Sequence, residues 1–560
     1  MLYISNPGVS LPAAMSLLNK FSQFSGYKLN LHKSELFPIN HQASQLRLNV
    51  PFKIARNSFT YLGVNVTRSY NHLFKANFAK LLEQTKQDLS KWSPLNMTLI
   101  GWVNSIKMTI LPKYLYLFQC IPVFLPLSFF KSLDSIISSF IWNGKQPRLR
   151  KAFLQRPKEQ GGMALPNFKY YYWAANLRCM LYWWCYHLNL ECPSWVSMEN
   201  SACRQTSLSA YLGAALPGIS RTPTNNPVVN HSLRVWLQFR KTFGFQRASL
   251  LSPIALNHLF APSMQDKTFM AWHELGLHCF KDLFIDKTFA SFEQLSRQYD
   301  LPKTNFFRFL QVRHFVQCQV PNFPSMPPVN PLDAFLSLDP FARGSISRLY
   351  KLMSGLDSPP LAAVRAAWEQ DLGQCLPDSS WESILRQVHG SSMCARHSLI
   401  QFKVVHRVHL SKVKLSKIYP TISPKCDKCK SADASLIHMY WSCPSLEDFW
   451  RSVFETLSGI INHKIDPDPL VALFGVIPEG LQLPVAKRKT LAFASLLARR
   501  SILLKWKEAA PPKHTHWVKD ILSFLSLEKI RYSLRGSVNT FYKIWSPFLD
   551  SVSTSDIIED

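Results

Sequence analysis

Four residues in one short stretch constrain this chain more than any others: Cys426, Cys429, His438 and Cys443, spaced C-x2-C-x8-H-x4-C. Cysteines two residues apart can place both thiolates on one side of a tight turn, here made by Asp427 and Lys428, with Pro424 stiffening the approach. A histidine and a cysteine a helical turn and a quarter apart can face back toward that turn. Three thiolates and one imidazole then meet the demand of a closed tetrahedral zinc site, which leaves no open position. The competing reading is three buried structural cysteines beside a surface histidine. A spacing this close to known zinc patterns favours the metal.

A chain of 560 residues exceeds what one hydrophobic core can organise, so roughly three to five compact units are expected. Its 13% aromatic content argues for packed interiors over disorder. Against that, 64 Lys and Arg face 35 Asp and Glu. The resulting formal charge of +29 implies a polyanionic partner, nucleic acid ahead of an anionic membrane. A basic ribosome-associated protein would share this composition. The twelve cysteines are scattered and no signal peptide precedes them, so a reducing cytoplasmic and nuclear setting is expected rather than a disulfide framework. Residues 114–130 are apolar enough to suggest a membrane span. Pro122 and Pro126 break that run and Lys113 and Lys131 flank it, so it reads as core, and no membrane partner is expected.

The opening reads as mixed strand and helix. Residues 2–5 suggest a strand; Ser10 can cap a helix, with Pro12 in its first turn, Leu17, Leu18, Phe21 and Phe24 at helical spacing, and Gly26 as the stop. Residues 27–31 resume as a strand, and 51–54 with 59–66 read as two strands around a polar turn at 55–58. Such a strand-helix-strand-hairpin opening is expected to be the second half of a domain. From Asn71 the pattern becomes helical. Phe74, Phe78, Leu82, Leu89 and Trp92 mark one face, residues 97–111 give a second helix, and Leu133, Ile136, Ile137, Phe140 and Ile141 a third.

Three runs concentrate the positive charge. Residues 143–158 carry Lys145, Arg148, Arg150, Lys151, Arg156 and Lys158 without an acid, ahead of Gly161-Gly162 and an aromatic cluster at 170–173. Cations interleaved with aromatics can pair phosphates and stack bases; a solvated loop is the plainer alternative. In residues 396–430, Arg396, Lys403, Arg407, Lys412, Lys414, Lys417, Lys425, Lys428 and Lys430 face a single acid, Asp427. The interleaved Ile400, Phe402, Val404, Val405, Val408 and Leu410 should pack one side, leaving the charges with His397, His406 and His409 on the other. Residues 487–507 add seven Lys and Arg and no acid. A lone charged helix is usually only soluble surface. Three acid-poor runs on one strongly basic chain favour a polyanion-binding face.

The middle, about 195–395, offers less. Pro-rich stretches at 217–227, 321–331 and 359–360 separate helical blocks such as 306–319 and 361–372, with no repeat and no catalytic constellation. His273-Glu274 lacks the second histidine of a metalloprotease helix and reads as surface.

The opening, MLYISNPGVSLPAAMSLLNKFSQFSGYKLNLHKSELFPIN, resembles the reverse transcriptase of LINE-type non-LTR retrotransposons just after its catalytic Tyr-Ala-Asp-Asp turn. Matching pieces continue in order. Gly26-Tyr27-Lys28-Leu29-Asn30 with Lys33 resembles the fourth palm motif, which implies that Lys33 sits near the incoming nucleotide. Phe59-Thr60-Tyr61-Leu62-Gly63-Val64 resembles the hairpin that grips the primer end. Lys91-Trp92-Ser93 to Gly101 resembles the thumb, and Trp142-Asn143-Gly144 through Gly161-Gly162 to Tyr170 the segment behind it. The cysteine knuckle, with Cys443-Pro444 and Phe449-Trp450, resembles the family's zinc-binding C-terminal region, as do residues 498–506 and Trp517.

The resemblance implies an α+β, mostly helical chain. An incomplete palm would occupy 1–68, thumb-like helices 69–142, a mostly helical connector 143–395, a basic zinc-binding region 396–465 and a helical tail 466–560. It implies a structural zinc ion, an RNA template and target DNA as partners, and the upstream half of the reverse transcriptase as a protein partner. Nucleic-acid contacts are expected at Lys33, Tyr61, Leu62, Gly63, Arg148, Arg150, Lys151, Lys403, Arg407, Lys412, Lys414, Lys425, Lys428 and Lys430.

Nucleotidyl transfer needs carboxylates that hold two divalent metals about 3.5–4 Å apart. The family takes them from the Asp-Asp turn and an earlier strand, both expected upstream of Met1, and this chain has no Asp-Asp dipeptide. No catalytic residue is therefore assigned, magnesium is expected only in the intact polymerase, and no polymerase or nuclease activity is expected of this chain alone. Trp102 departs from the family, which usually has Arg there, and that should weaken a phosphate contact. Two functions fit: holding RNA template and target DNA for target-primed reverse transcription, or a stand-alone RNA-binding zinc-knuckle protein or inert product of a truncated retroelement gene. An in-frame Tyr-Ala-Asp-Asp in the DNA just upstream would select the first.

Overall fold

Apolar residues recurring every third and fourth position dictate the architecture: the protein is mostly helical, with strands confined to short pairs. The structure is a computed structural model and describes residues 2–45, 50–203, 206–216, 224–357, 361–477 and 481–553. Among these the strands form three two-stranded pairs, one parallel and two antiparallel. The Pro-rich connections expected at 217–227 and 359–360 fall partly or wholly outside the described residues. The chain folds as two compact units, fewer than its length suggested, because segments far apart in sequence share each core.

The first unit comprises Met1–Lys91, Pro112–Leu133 and Phe168–Met353. Its opening is less strand-like than expected: residues 2–5 and 27–31 form no strand. The helix begins earlier, at Pro7, so that Pro12 lies inside it, and it runs to Ser25. Gly26, at φ 70°, closes it with its N–H on the Ser22 carbonyl at 3.0 Å. Residues 27–30 have no ladder partner, and Asn30 instead caps a single 3₁₀ turn, Leu31–Lys33. Glu35–Leu36 pairs in parallel with Lys53–Ile54. The hairpin joins Ser58–Tyr61 to Val64–Thr67, so its turn is Leu62-Gly63 and not residues 55–58. Both turn residues have positive φ, 47° and 80°, the two-residue geometry that follows the twist of paired strands. Buried Asn77 fixes this hairpin in place. Its Oδ1 accepts the Asn65 N–H at 2.9 Å and its Nδ2 donates to the Asn65 carbonyl at 2.9 Å.

The apolar run 114–130 is core, as expected. Tyr114, Phe118 and Phe129 are buried, with Phe118 edge-on to Tyr172 at 5.3 Å. No helix among the described residues is long and apolar enough to cross a membrane. In the Phe168–His187 helix, Tyr170, Tyr172 and Trp173 are also interior. The aromatic cluster at 170–173 is therefore packing, and the expected base-stacking role for it is wrong. Farther along, Phe269, Trp272, Leu283, Leu295 and Val312 form a second cluster, which gives the unreadable middle of the chain its own core. His273 belongs to that interior, its Nδ1 3.0 Å from that of His278, and not to the surface expected of it.

The second unit comprises Trp92–Leu111, Asp134–Asn167 and Ser354–Asp560. Its axis is the Val485–Leu504 helix, buried on all faces from Thr490 to Arg499. Pro469–Phe474, Ala395–Val405, Glu447–Ile461, His514–Leu534 and Val538–Ser553 pack around it. Ala492, Ala494 and Ala498 supply the small surface that allows so many helices to approach one. The basic run 487–507 is thus not one continuous charged face: Arg488, Lys489 and Lys507 are exposed, but the rest are taken up by the protein. Arg499 is wholly buried, donating to the Ala472 carbonyl and to Gln401 Oε1 at 2.6 Å, while Arg500 pairs with Asp520 and Lys487 donates to the Ile461 carbonyl at 2.6 Å. Trp102 is also interior, edge-on to Phe140 at 4.6 Å, so the apolar residue there serves packing.

Candidate metal centre and basic surface

The cysteine knuckle is built by local backbone bonds. Lys425 and Asp433 form an antiparallel bridge, the Cys426 N–H reaches the Ala432 carbonyl at 2.9 Å, and the Lys430 N–H returns to the Cys426 carbonyl at 3.0 Å. Lys430 takes a positive φ of 58° to close this turn. The chain then enters a wide helical turn, His438–Ser442, whose first carbonyl accepts the Cys443 N–H at 3.1 Å. That turn swings His438 and Cys443 toward Cys426 and Cys429.

The result is a compact donor set. One ligand atom from each of Cys426, Cys429, His438 and Cys443 lies within 4.8 Å of all the others. Cys426 Sγ is 3.9 Å from Cys443 Sγ, and Cys429 Sγ is 3.4 Å from His438 Nε2. In a tetrahedron with metal–sulfur bonds of about 2.3 Å and metal–nitrogen bonds of about 2.0–2.1 Å, the edges come to about 3.8 Å and about 3.5 Å. These residues can therefore hold a metal ion, and the donor set is compatible with a structural zinc. Cys426, His438 and Cys443 are buried and Cys429 is partly so.

Electrostatics prepares the donors unequally. For Cys429, burial, which would raise the thiol, is outweighed by hydrogen bonds from the Ser431 hydroxyl, the Ala432 and Ser431 amides and His438. Together they bring it down to about 5. Burial pushes the Cys443 thiol up to about 11. Metal binding would deprotonate such a thiol and release its proton.

The knuckle is docked onto the unit's core. Lys428 Nζ donates to the Lys505 and Glu508 carbonyls at 2.6 and 2.7 Å, just beyond the Val485–Leu504 helix, where a cation also meets the negative end of the helix dipole. Trp506 Nε1 donates to the Leu410 carbonyl at 3.1 Å, and its ring lies 4.9 Å from that of buried Tyr440. Lys412 pairs with Asp427 at 2.6 Å.

These bonds revise the expected nucleic-acid set. The Arg407 guanidinium lies 4.4 Å from the Trp368 ring and pairs with Asp371 at 2.7 Å; Lys428 is bound as above. Both are spent within the protein and are not free contacts. His397 and His406 are buried rather than aligned with the charges, and His406 Nε2 bonds the Gly161 carbonyl at 2.7 Å. Lys403 is half-buried, with burial and then Arg148 holding its ammonium below the usual lysine range. Arg148 donates to the Val408 carbonyl at 2.9 Å, and Lys151 pairs with Asp134. Lys414, Lys430 and Arg150 are exposed and enter no ion pair among the described residues; Lys425 is exposed but pairs with Asp433 at 3.1 Å. Lys33, Tyr61, Leu62 and Gly63 are exposed in the first unit, with the Leu62 carbonyl accepting the Tyr116 hydroxyl. Asp371 and Trp368 escaped notice because nothing local in the sequence marks them as partners. No protein-family model matches the chain.

Proposed function

We propose that this chain is a polynucleotide-holding module stapled by a structural zinc ion at Cys426, Cys429, His438 and Cys443. The observation that carries this reading is the set of exposed ammonium groups of Lys414, Lys417 and Lys430, on the knuckle and on the Lys412–Ile418 helix bonded to it, on a chain of charge +29. Phosphates neutralised by such groups release counterions, which supplies sequence-independent affinity. The metal would hold the knuckle in shape and so fix where these lysines project. Zinc suits the three thiolates and one imidazole better than a hard cation such as magnesium does.

The finer reading follows the order of motifs in the sequence. The chain would be the end of the palm, the thumb and the tail of a LINE-type reverse transcriptase. It would hold RNA template and target DNA during target-primed reverse transcription, with magnesium serving only the intact polymerase. Support comes from the Pro7–Ser25 helix, whose Leu17, Phe21 and Phe24 are exposed and invite an apolar protein partner, the part the upstream half of the enzyme would play.

The test is binding of the purified full chain to labelled single-stranded RNA across a salt series. A steep linear fall of log K with log salt is expected. A flat response, or no binding at low salt, would refute the reading.

A further inference from the structure

A groove of about 490 Å³ lies in the second unit. Its apolar lining is Ile137, Ile141, Leu154 and Leu165, Trp142 joins that lining, and Arg148, Arg150 and Lys151 supply its cations; no carboxylate lines it. The cations are not equivalent. Lys151 is held by Asp134, whereas Arg150 is exposed and enters no ion pair among the described residues. The bond from Arg148 Nη2 to the Val408 carbonyl fixes that guanidinium and leaves Nη1 for a ligand. Lys403 adds a second positive charge close to Arg148, and among the described residues no acid is paired with either.

An apolar floor by itself would suit a lipid or a peptide side chain. Here an indole and an apolar floor stand beside two arginines that have no carboxylate partner among the described residues. That combination matches a flat, uncharged ring system flanked by anions. The volume falls within the roughly 300–1,000 Å³ of sites that enclose small ligands. We propose that this groove seats one unpaired nucleotide of a single-stranded nucleic acid, with its base against Trp142 and its neighbouring phosphates on Arg148 and Arg150. The inference rests on the polynucleotide-holding role and adds a preference: a base stacked inside a duplex cannot enter, so single strands bind better.

Fluorescence anisotropy of the full chain with a single-stranded RNA, the same sequence as single-stranded DNA, and the blunt duplex tests it. Arg150→Glu and Trp142→Ala should each weaken both single strands by roughly tenfold or more, the scale of one lost stacked base or phosphate pair. Duplex affinity should change by less than about twofold, and Arg150→Glu should lower the single-strand salt slope by about one. The RNA and DNA arms show whether the sugar is read. A 2-aminopurine in the strand should be quenched by the parent chain and released in Trp142→Ala. Arg150 is exposed, so its variant keeps the test open if Trp142→Ala fails to fold. Equal losses on duplex and single strands would overturn the seated base while sparing the broader role; absence of any polynucleotide binding would sink both. Anionic vesicles bound through Arg150, with oligonucleotides unaffected, would also overturn it.

Discussion

Lys428 separates two accounts of the knuckle. By sequence it is one more lysine in a basic run, a phosphate contact. By structure its ammonium is shared between the Lys505 and Glu508 carbonyls at 2.6 and 2.7 Å, so it ties the turn between two metal ligands to the end of the central helix. Net hydrogen bonding from a charged donor contributes about 1.5–3 kcal/mol, and a cation at a helix C-terminus about 0.3–1 kcal/mol. The group is only half-buried, so solvent screening argues for the lower end, and Lys428→Met should cost about 2 kcal/mol. If the folded knuckle holds zinc as proposed, that loss should appear as weaker zinc affinity, roughly 30-fold at 1.4 kcal/mol per decade. Competition against a chromophoric chelator reads it directly. Lys430→Met is the control: that side chain is exposed and enters no ion pair among the described residues, so zinc affinity should hold while RNA affinity and its salt slope fall. If Lys428→Met left zinc affinity unchanged and weakened RNA as Lys430→Met does, the docking account would be wrong.

Further outcomes can be stated briefly. On the proposed zinc site, Cys426→Ser with Cys429→Ser should abolish stoichiometric zinc binding and expose the amides of residues 424–446 to hydrogen exchange; stoichiometric zinc in that double variant would refute the ligand set. Gly475→Ala should lower the urea midpoint by the equivalent of about 2–4 kcal/mol, since a Cβ there would sit 2.8 Å from Ala492 Cα at a φ of +67°. His397 gives a pH dependence. Burial, then Arg500, lowers its pKa to about 4 in the folded chain, so the unfolded chain takes the proton first as pH falls. Its contribution to stability is full above about pH 6.5 and is lost as pH drops toward 4. Thermal unfolding across that window should be flatter in His397→Gln than in the parent chain.

The knuckle was legible in the sequence because its geometry is local. All four donors lie within eighteen residues, and turn bonds between near neighbours bring them together. Helices with a clear apolar stripe, such as Leu127–Ile141, were equally plain, and so was the reading of 114–130 as core. The strands at 2–5 and 27–31 failed because a strand exists only where a partner supplies its ladder, and composition does not name the partner.

What the sequence determined, then, was the donor set, the helical character and the excess of positive charge. Tertiary structure alone decided which cations are available. Arg407 meets Asp371, Lys428 meets carbonyls near the end of the Val485–Leu504 helix, and Arg499 disappears into the core with Gln401. Those partners lie tens of residues away in the chain, and a charge on a side chain says nothing of whether protein or solvent will satisfy it. Only the packing of distant segments fixes that, because a buried cation must find its acceptors wherever the fold happens to bring them.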